Sequence, residues 1–169
     1  MILAPHAIVG AAVSSALPGY PILGFLLALV SHYIIDLIPH NHYEHGSFII
    51  KETKSIASFV NNAKAFYQLL MISFDFFVGV FFAVLIFSRD WDTLLTAFLG
   101  VAGGVLPDFL RFFYYKYKKE PFIAFAKFHN IFESKNCLDH KPITGTIIQI
   151  TTTVIMVSIS LYIKSKFSL

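Results

Sequence analysis

Five long apolar segments constrain the fold of this chain more than any other feature of its sequence. A helix needs roughly 20 apolar residues to cross a hydrocarbon layer about 30 Å thick, and each segment approaches or reaches that length. Charged residues make up 14% of the 169 residues and hydrophobic residues 56%, which is too apolar for the surface of a small water-soluble protein. The pattern predicts an all-α, polytopic membrane bundle of about five transmembrane helices, over 2–17, 22–38, 67–87, 93–110 and 143–163.

We interpret 1–169 as a single integral membrane domain. Short turns join the helices into one hairpin over about 2–38 and another over about 67–110. A connection over 111–142 then leads to the final helix over 143–163. Small residues suit close packing of helices in lipid, and the first and fourth helices contain several: Gly10, Ala11, Gly100, Gly103 and Gly104.

Basic residues are concentrated in two connections of the chain. The 41–66 and 109–142 connections carry ten Lys and Arg residues, whereas the opposite turns carry only Arg89. Cytoplasmic loops of membrane proteins are enriched in Lys and Arg, so we expect a multi-pass protein of the cell membrane with a cytoplasmic N-terminus. The net charge of +3 is small and scattered, so we expect the lipid bilayer, and no nucleic acid, as a partner.

The second basic connection contains an amphipathic pattern. Four Phe residues recur at three- and four-residue spacing within Pro121–Glu133, which predicts an interfacial amphipathic helix. Residues 52–66 show a weaker pattern of the same kind. Packing of either segment beneath the bundle is the alternative.

Five ionisable side chains lie at the predicted membrane depth. Each costs about 2.5 kcal/mol or more in a lipid-spanning helix, so such residues usually pair or line a functional cavity. Residues equidistant from the turn of a helical hairpin lie at equal depth, and by this count the ionisable groups match in depth within each hairpin. The five are His6, His32, Asp36, Asp75 and Asp108.

His32 and Asp36 lie four residues apart, so they share one face of a helix. An imidazole and a carboxylate at this spacing suit Zn²⁺ or a similar divalent ion, and they also occur as a plain hydrogen-bonded pair. His40 lies four residues further and opens the run His40–His45, which includes His42. This run is either a metal-binding loop at the mouth of the site or a polar interfacial loop.

Two further histidines, His129 and His140, lie in the 109–142 connection. Either one caps the membrane site or has no catalytic role. The sequence does not distinguish these alternatives.

Three motifs carry a resemblance to a known family. They are Pro5–Ala11 (PHAIVGA), Ser31–His40 (SHYIIDLIPH) and Gly103–Asp108 (GGVLPD). With these motifs the chain resembles the membrane-bound metal-dependent hydrolases of bacteria and archaea over about its first 110 residues. The resemblance implies a small multi-helix membrane protein and the metal ligands His6, His32, Asp36 and Asp108. The His-x-x-x-Asp element is also similar to one element of zinc-dependent phospholipase C.

The leading functional hypothesis is a metal-dependent hydrolase at the cytoplasmic face that acts on a phosphoester or lipid-like substrate. Its divalent metal, with zinc as the first candidate, would activate water. Asp75 would serve as the general base or as a further ligand, and His40 is an additional candidate ligand. The alternatives are an ion or proton transporter that uses the same residues as a relay, and a structural membrane protein.

Overall fold

The computed structural model describes residues 2–41 and 62–167. Within these ranges all regular elements are helical, which confirms the predicted all-α bundle. The helices are α1 (Leu3–Ser15), α2 (Pro21–Asp36), α3 (Ala63–Phe87), α4 (Trp91–Tyr117), α5 (Phe122–Phe132) and α6 (Pro142–Phe167).

Three helices are long and apolar enough to cross a membrane, namely α3, Trp91–Tyr115 of α4 and Pro142–Lys166 of α6. Large apolar side chains such as Phe74, Phe77 and Phe81 of α3 are more than 60% exposed, as expected for a surface that faces lipid. Helices α1 and α2 have 13 and 16 residues. They reach only about 20 and 24 Å, so five passes and a cytoplasmic N-terminus stay predictions.

Helix α1 lies at the centre of the bundle and packs against α2, α3, α4 and α6. Its contact with α4 is backbone to backbone. A Cβ atom on Gly10 would overlap the carbonyl oxygen of Gly100, and one on Gly104 would overlap the carbonyl oxygen of His6. The small residues therefore allow the close approach that the sequence predicts.

Polar side chains attach α6 to the same centre. The Ser160 hydroxyl donates to the carbonyl of Ala12 at 2.6 Å. The buried Gln149 amide donates to the carbonyl of Asn41 at 3.1 Å. Hydrogen bonds of this kind hold helices together where no water competes for them.

Helix α4 is longer than predicted. The sequence predicts its end at residue 110, but the helix continues through Pro107 to Tyr117. Proline lacks the N–H that would bond the carbonyl of Gly103, yet packing against neighbouring helices tolerates such a residue in membrane helices. The extension places Arg111 on α4, one turn beyond Asp108, so the 111–142 connection begins as helix.

The predicted helix within Pro121–Glu133 is present as α5. Its buried side chains are Ala126 and His129, whereas Phe125 and Phe128 are 45% and 47% exposed. The inward face is thus centred on Ala126 and His129, and Phe122 on the same face is half-buried. Most of the second amphipathic pattern, 52–66, lies outside the described residues.

Candidate metal centre

Side chains from four helices converge at one buried point. Helix α1 supplies His6, α2 supplies His32 and Asp36, α4 supplies Asp108 and α5 supplies His129. Four of the five are at most 2% exposed. The side chain of Asp108 is 19% exposed, so the cluster has its opening on that side.

Asp36 lies at the middle of the cluster and faces all three imidazoles. Its Oδ1 is 3.2 Å from Nε2 of His6. Its Oδ2 is 3.2 Å from Nε2 of His32 and 3.3 Å from Nε2 of His129. One carboxylate therefore contacts groups from three helices.

Asp108 faces the same three imidazoles from the other side. Its Oδ1 is 3.4 Å from Nε2 of His129 and 4.0 Å from Nε2 of His32. Its Oδ2 is 3.9 Å from Nε2 of His6. The nitrogen that each ring presents to both carboxylates is Nε2.

The backbone of α4 fixes the tautomer of His32. Its Nδ1 lies 2.7 Å from the carbonyl oxygen of Gly104, which can only accept, so Nδ1 carries a hydrogen and the neutral ring keeps its lone pair on Nε2. That Nε2 is 3.1 Å from Nε2 of His129. Two nitrogens bound to one tetrahedral zinc lie about 3.3 Å apart, since each Zn–N bond is about 2.0–2.1 Å.

Several of these buried atoms have no hydrogen-bond partner among the described residues. They include Nε2 of His6 and Oδ1 of Asp36, which face each other at 3.2 Å without the orientation of a hydrogen bond. A buried polar atom left in this state costs about 1–3 kcal/mol. A cation between the two atoms would satisfy both, so the residues present fit a metal ion.

The donors form two groups within metal-binding distance, and the groups share His32. One contains His6 and Asp36, and the other contains Asp108 and His129. The single lone pair of the His32 Nε2 binds one ion, so the arrangement suits one ion with up to five ligands more than two ions. Two carboxylates also match the charge of one divalent cation.

Asp75, the predicted general base, lies elsewhere on α3. Its Oδ2 accepts a hydrogen bond of 2.9 Å from the backbone N–H of Ala4, in the first turn of α1. This contact holds the amino end of α1 two residues before His6. Asp75 belongs to neither donor group, and its catalytic role stays a prediction.

Two other candidate histidines, His40 and His140, also lie apart from the donor groups. His40 is buried after α2, and its Nδ1 donates to the carbonyl of Ile38 at 2.7 Å. His140 is exposed in the loop before α6. His42 and His45 lie outside the described residues.

The sequence did not single out His129 as a donor. One signal was present, because Ala126 and His129 lie three residues apart and so share one face of the helix. A small residue and a histidine on one helix face indicate close packing against something polar. The helix pattern alone does not identify that polar partner.

No protein-family model, curated protein or solved structure matches this chain. The resemblance to membrane-bound metal-dependent hydrolases stays a prediction from three sequence motifs. Each motif contributes at least one side chain to the cluster: His6, then His32 with Asp36, then Asp108.

Proposed function

We propose that this chain is a membrane-embedded, metal-dependent hydrolase with one divalent ion at the cluster. The observation that most supports a bound ion is the contact between Nε2 of His6 and Oδ1 of Asp36. These atoms are buried 3.2 Å apart without a hydrogen bond between them. A merely structural cluster would gain stability by rotating such groups into hydrogen bonds. The proposed ligands are His6, His32, Asp36, Asp108 and His129.

The donor set supports a particular class of ion. Imidazole nitrogens suit zinc and iron, whereas Mg²⁺ and Ca²⁺ prefer oxygen ligands alone. With three imidazoles and two carboxylates, zinc is the first candidate. When bound, such an ion supplies Lewis-acid chemistry, because it activates water and polarises the group to be cleaved.

Asp108 has the best position to move a proton in this site. It is the most exposed member of the cluster, and its Oδ2 lies 3.9 Å from Nε2 of His6, whereas its Oδ1 faces Nε2 of His129 at 3.4 Å. Water therefore reaches this carboxylate, which can act as general base. We propose a phosphoester or lipid-like substrate, because the surrounding surface is apolar and α4, which carries Asp108, is long and apolar enough to cross a membrane.

The test compares wild type with Asp36→Asn, because Asp36 contacts all three imidazoles. Asp92→Asn is the matched control, since Asp92 is exposed in the first turn of α4. Elemental analysis after purification in detergent without chelator is expected to give roughly one transition-metal ion per chain for wild type and the control. Asp36→Asn is expected to lose most of it.

Hydrolysis is measured on a phosphomonoester, a phosphodiester and a phospholipid in mixed micelles, with and without chelator. We expect chelator-sensitive turnover of at least one of them, which Asp36→Asn lacks. A background metal content in wild type contradicts the proposal and favours the relay or structural alternative. A metal-loaded protein without turnover contradicts the hydrolase and leaves the metal site.

A further inference from the structure

An ion pair joins α4 to the end of α5 next to the cluster. Nη1 of Arg111 lies 2.7 Å from Oε1 of Glu133, and Nη2 lies 2.9 Å from Oε2. Two parallel bonds of this kind fix both distance and direction. Nε of Arg111 also donates to the hydroxyl of Tyr115 at 3.2 Å, so the guanidinium plane is held on both edges.

The pair connects two of the four helices that carry donors of the cluster. Arg111 follows Asp108 by three residues on α4, and Glu133 follows His129 by four residues at the end of α5. Each partner thus lies on the same helix face as a donor. The side chains of Arg111 and Glu133 are only 21% and 20% exposed, which protects their attraction from screening by water.

His129 depends on this attachment more than His32 does. A hydrogen bond from Nδ1 to the carbonyl of Gly104 orients the ring of His32. Nδ1 of His129 is buried and has no hydrogen-bond partner within 2–41 and 62–167. The placement of His129 Nε2 must therefore come from the placement of α5 itself.

Ring contacts also hold α5 in the bundle. Phe122 stacks on Phe113 of α4 with ring centroids 5.6 Å apart, and Phe128 packs on Tyr33 of α2. One backbone hydrogen bond, from Ser134 to the carbonyl of Asp36 at 2.9 Å, adds an attachment at the end of α5. The two parallel bonds of the Arg111 ion pair fix distance and direction between α4 and α5, which ring contacts do less sharply.

We propose that Arg111 and Glu133 are positioning residues for His129, and that their ion pair sets the metal affinity of the cluster. This inference rests on the proposed metal centre. Neither residue contacts the ion. The pair acts by holding α5 where the Nε2 of His129 meets the other donors.

The experiment measures zinc affinity by competition with a chelator for wild type, Arg111→Gln, Glu133→Gln and Arg111→Lys. Loss of an outer partner of a metal ligand typically lowers affinity about 10–100-fold, which we expect for both Gln variants. Arg111→Lys keeps the charge without the two-pronged geometry, so an intermediate affinity is expected. Arg89→Gln removes an Arg from the exposed turn before α4 and is expected to match wild type.

The visible absorption of the cobalt-loaded protein separates positioning from general stability, because it reports the ligands of the ion. We expect Arg111→Gln and His129→Ala to shift the spectrum in the same way. A Gln variant that unfolds more easily but keeps the wild-type spectrum overturns the inference. If Arg111→Gln does not fold, Glu133→Gln and Arg111→Lys give the same test.

A double-mutant cycle tests whether Arg111 changes zinc affinity through His129. If Arg111 acts only through His129, Arg111→Gln combined with His129→Ala has the zinc affinity of His129→Ala alone. Additive losses overturn the inference, as does wild-type affinity in Arg111→Gln or in His129→Ala. Absence of metal binding in wild type overturns both the inference and the proposed centre, whereas the other failures leave the centre intact.

Discussion

Replacement of Gly104 by Ala tests whether helix packing sets the geometry of the cluster. The new Cβ would lie 3.2 Å from the Cα of Gly10 and overlap the carbonyl oxygen of His6. Carbon atoms in ordinary contact lie about 3.5–4.0 Å apart. The backbones of α1 and α4 must therefore separate by more than about 0.3–0.8 Å at this contact, because the overlap with the carbonyl oxygen is the closer of the two. Overpacking of this kind costs about 1–3 kcal/mol.

The same separation disturbs two donors of the cluster. His6 moves with α1, while His32 stays bonded to the carbonyl of Gly104 at 2.7 Å. The two rings are stacked with centroids 4.0 Å apart, so they cannot absorb the movement independently. Metal sites tolerate deviations of about 0.2 Å in ligand distance, and we expect zinc affinity to fall at least about tenfold, or ~1.4 kcal/mol.

Chemical unfolding in detergent and chelator competition measure the two effects of Gly104→Ala. Gly19→Ala is the matched control, because a Cβ at Gly19 meets no atom within 4 Å, and it is expected to stay within about 0.5 kcal/mol of wild type. If Gly104→Ala behaves as Gly19→Ala does in both measurements, the packing argument is wrong. Lower stability with unchanged affinity would refute only the link to the cluster.

Substitutions at two further positions, Asp75 and Asp90, test the ends of helices. Asp75→Asn is expected to keep the denaturant midpoint of wild type, since its amide oxygen can accept the same hydrogen bond from Ala4. Asp75→Ala is expected to lower the free energy of unfolding by about 0.5–2 kcal/mol. Loss of turnover in a folded, metal-loaded Asp75→Asn protein would instead support the catalytic prediction. Asp90 caps α4, and the backbone N–H and then the hydroxyl of Thr93 lower the pKa of its carboxyl by hydrogen bonding to the carboxylate. This stabilisation is present above the unfolded pKa of about 3.9 and is lost as pH falls through the lower native pKa. The difference in unfolding midpoint between wild type and Asp90→Ala should therefore shrink on acidification. Asn caps the helix without titrating, so the difference in midpoint between Asp90→Asn and Asp90→Ala should stay constant over the same pH range. A pH-independent difference between wild type and Asp90→Ala would contradict this.

Local composition was enough to predict an all-α bundle and the approximate positions of its helices, because long apolar runs separated by polar turns favour helices, although α4 ends later than predicted. The hairpin count also grouped His6, His32 and Asp36 at one depth, and the structure brings them together. The same count placed Asp75 level with Asp108, but Asp75 contacts α1 instead. The count gives the depth of a side chain along its helix but not the direction in which it points. That direction depends on how the helix packs against its neighbours, which residue spacing does not specify.

The sequence did not predict, for a different reason, that α5 contributes a histidine to the cluster. Proline normally marks the end of a helix, so Pro107 gave no sign that α4 continues to Arg111. The contact between Arg111 and Glu133 joins residues 22 positions apart across a turn. Without that contact, nothing in the sequence directs His129 towards the membrane cluster.

The central position of α1 has a consequence for how the protein is assembled. Helix α1 precedes every helix that surrounds it, and α4 and α6 emerge from the ribosome many residues later. Until then, the buried polar side chains His6, Ser14 and Ser15 of α1 lack the later helices that cover them in the folded bundle. The polar face of α1 is therefore covered only late in synthesis, and the donor set closes only after residue 129 has been made.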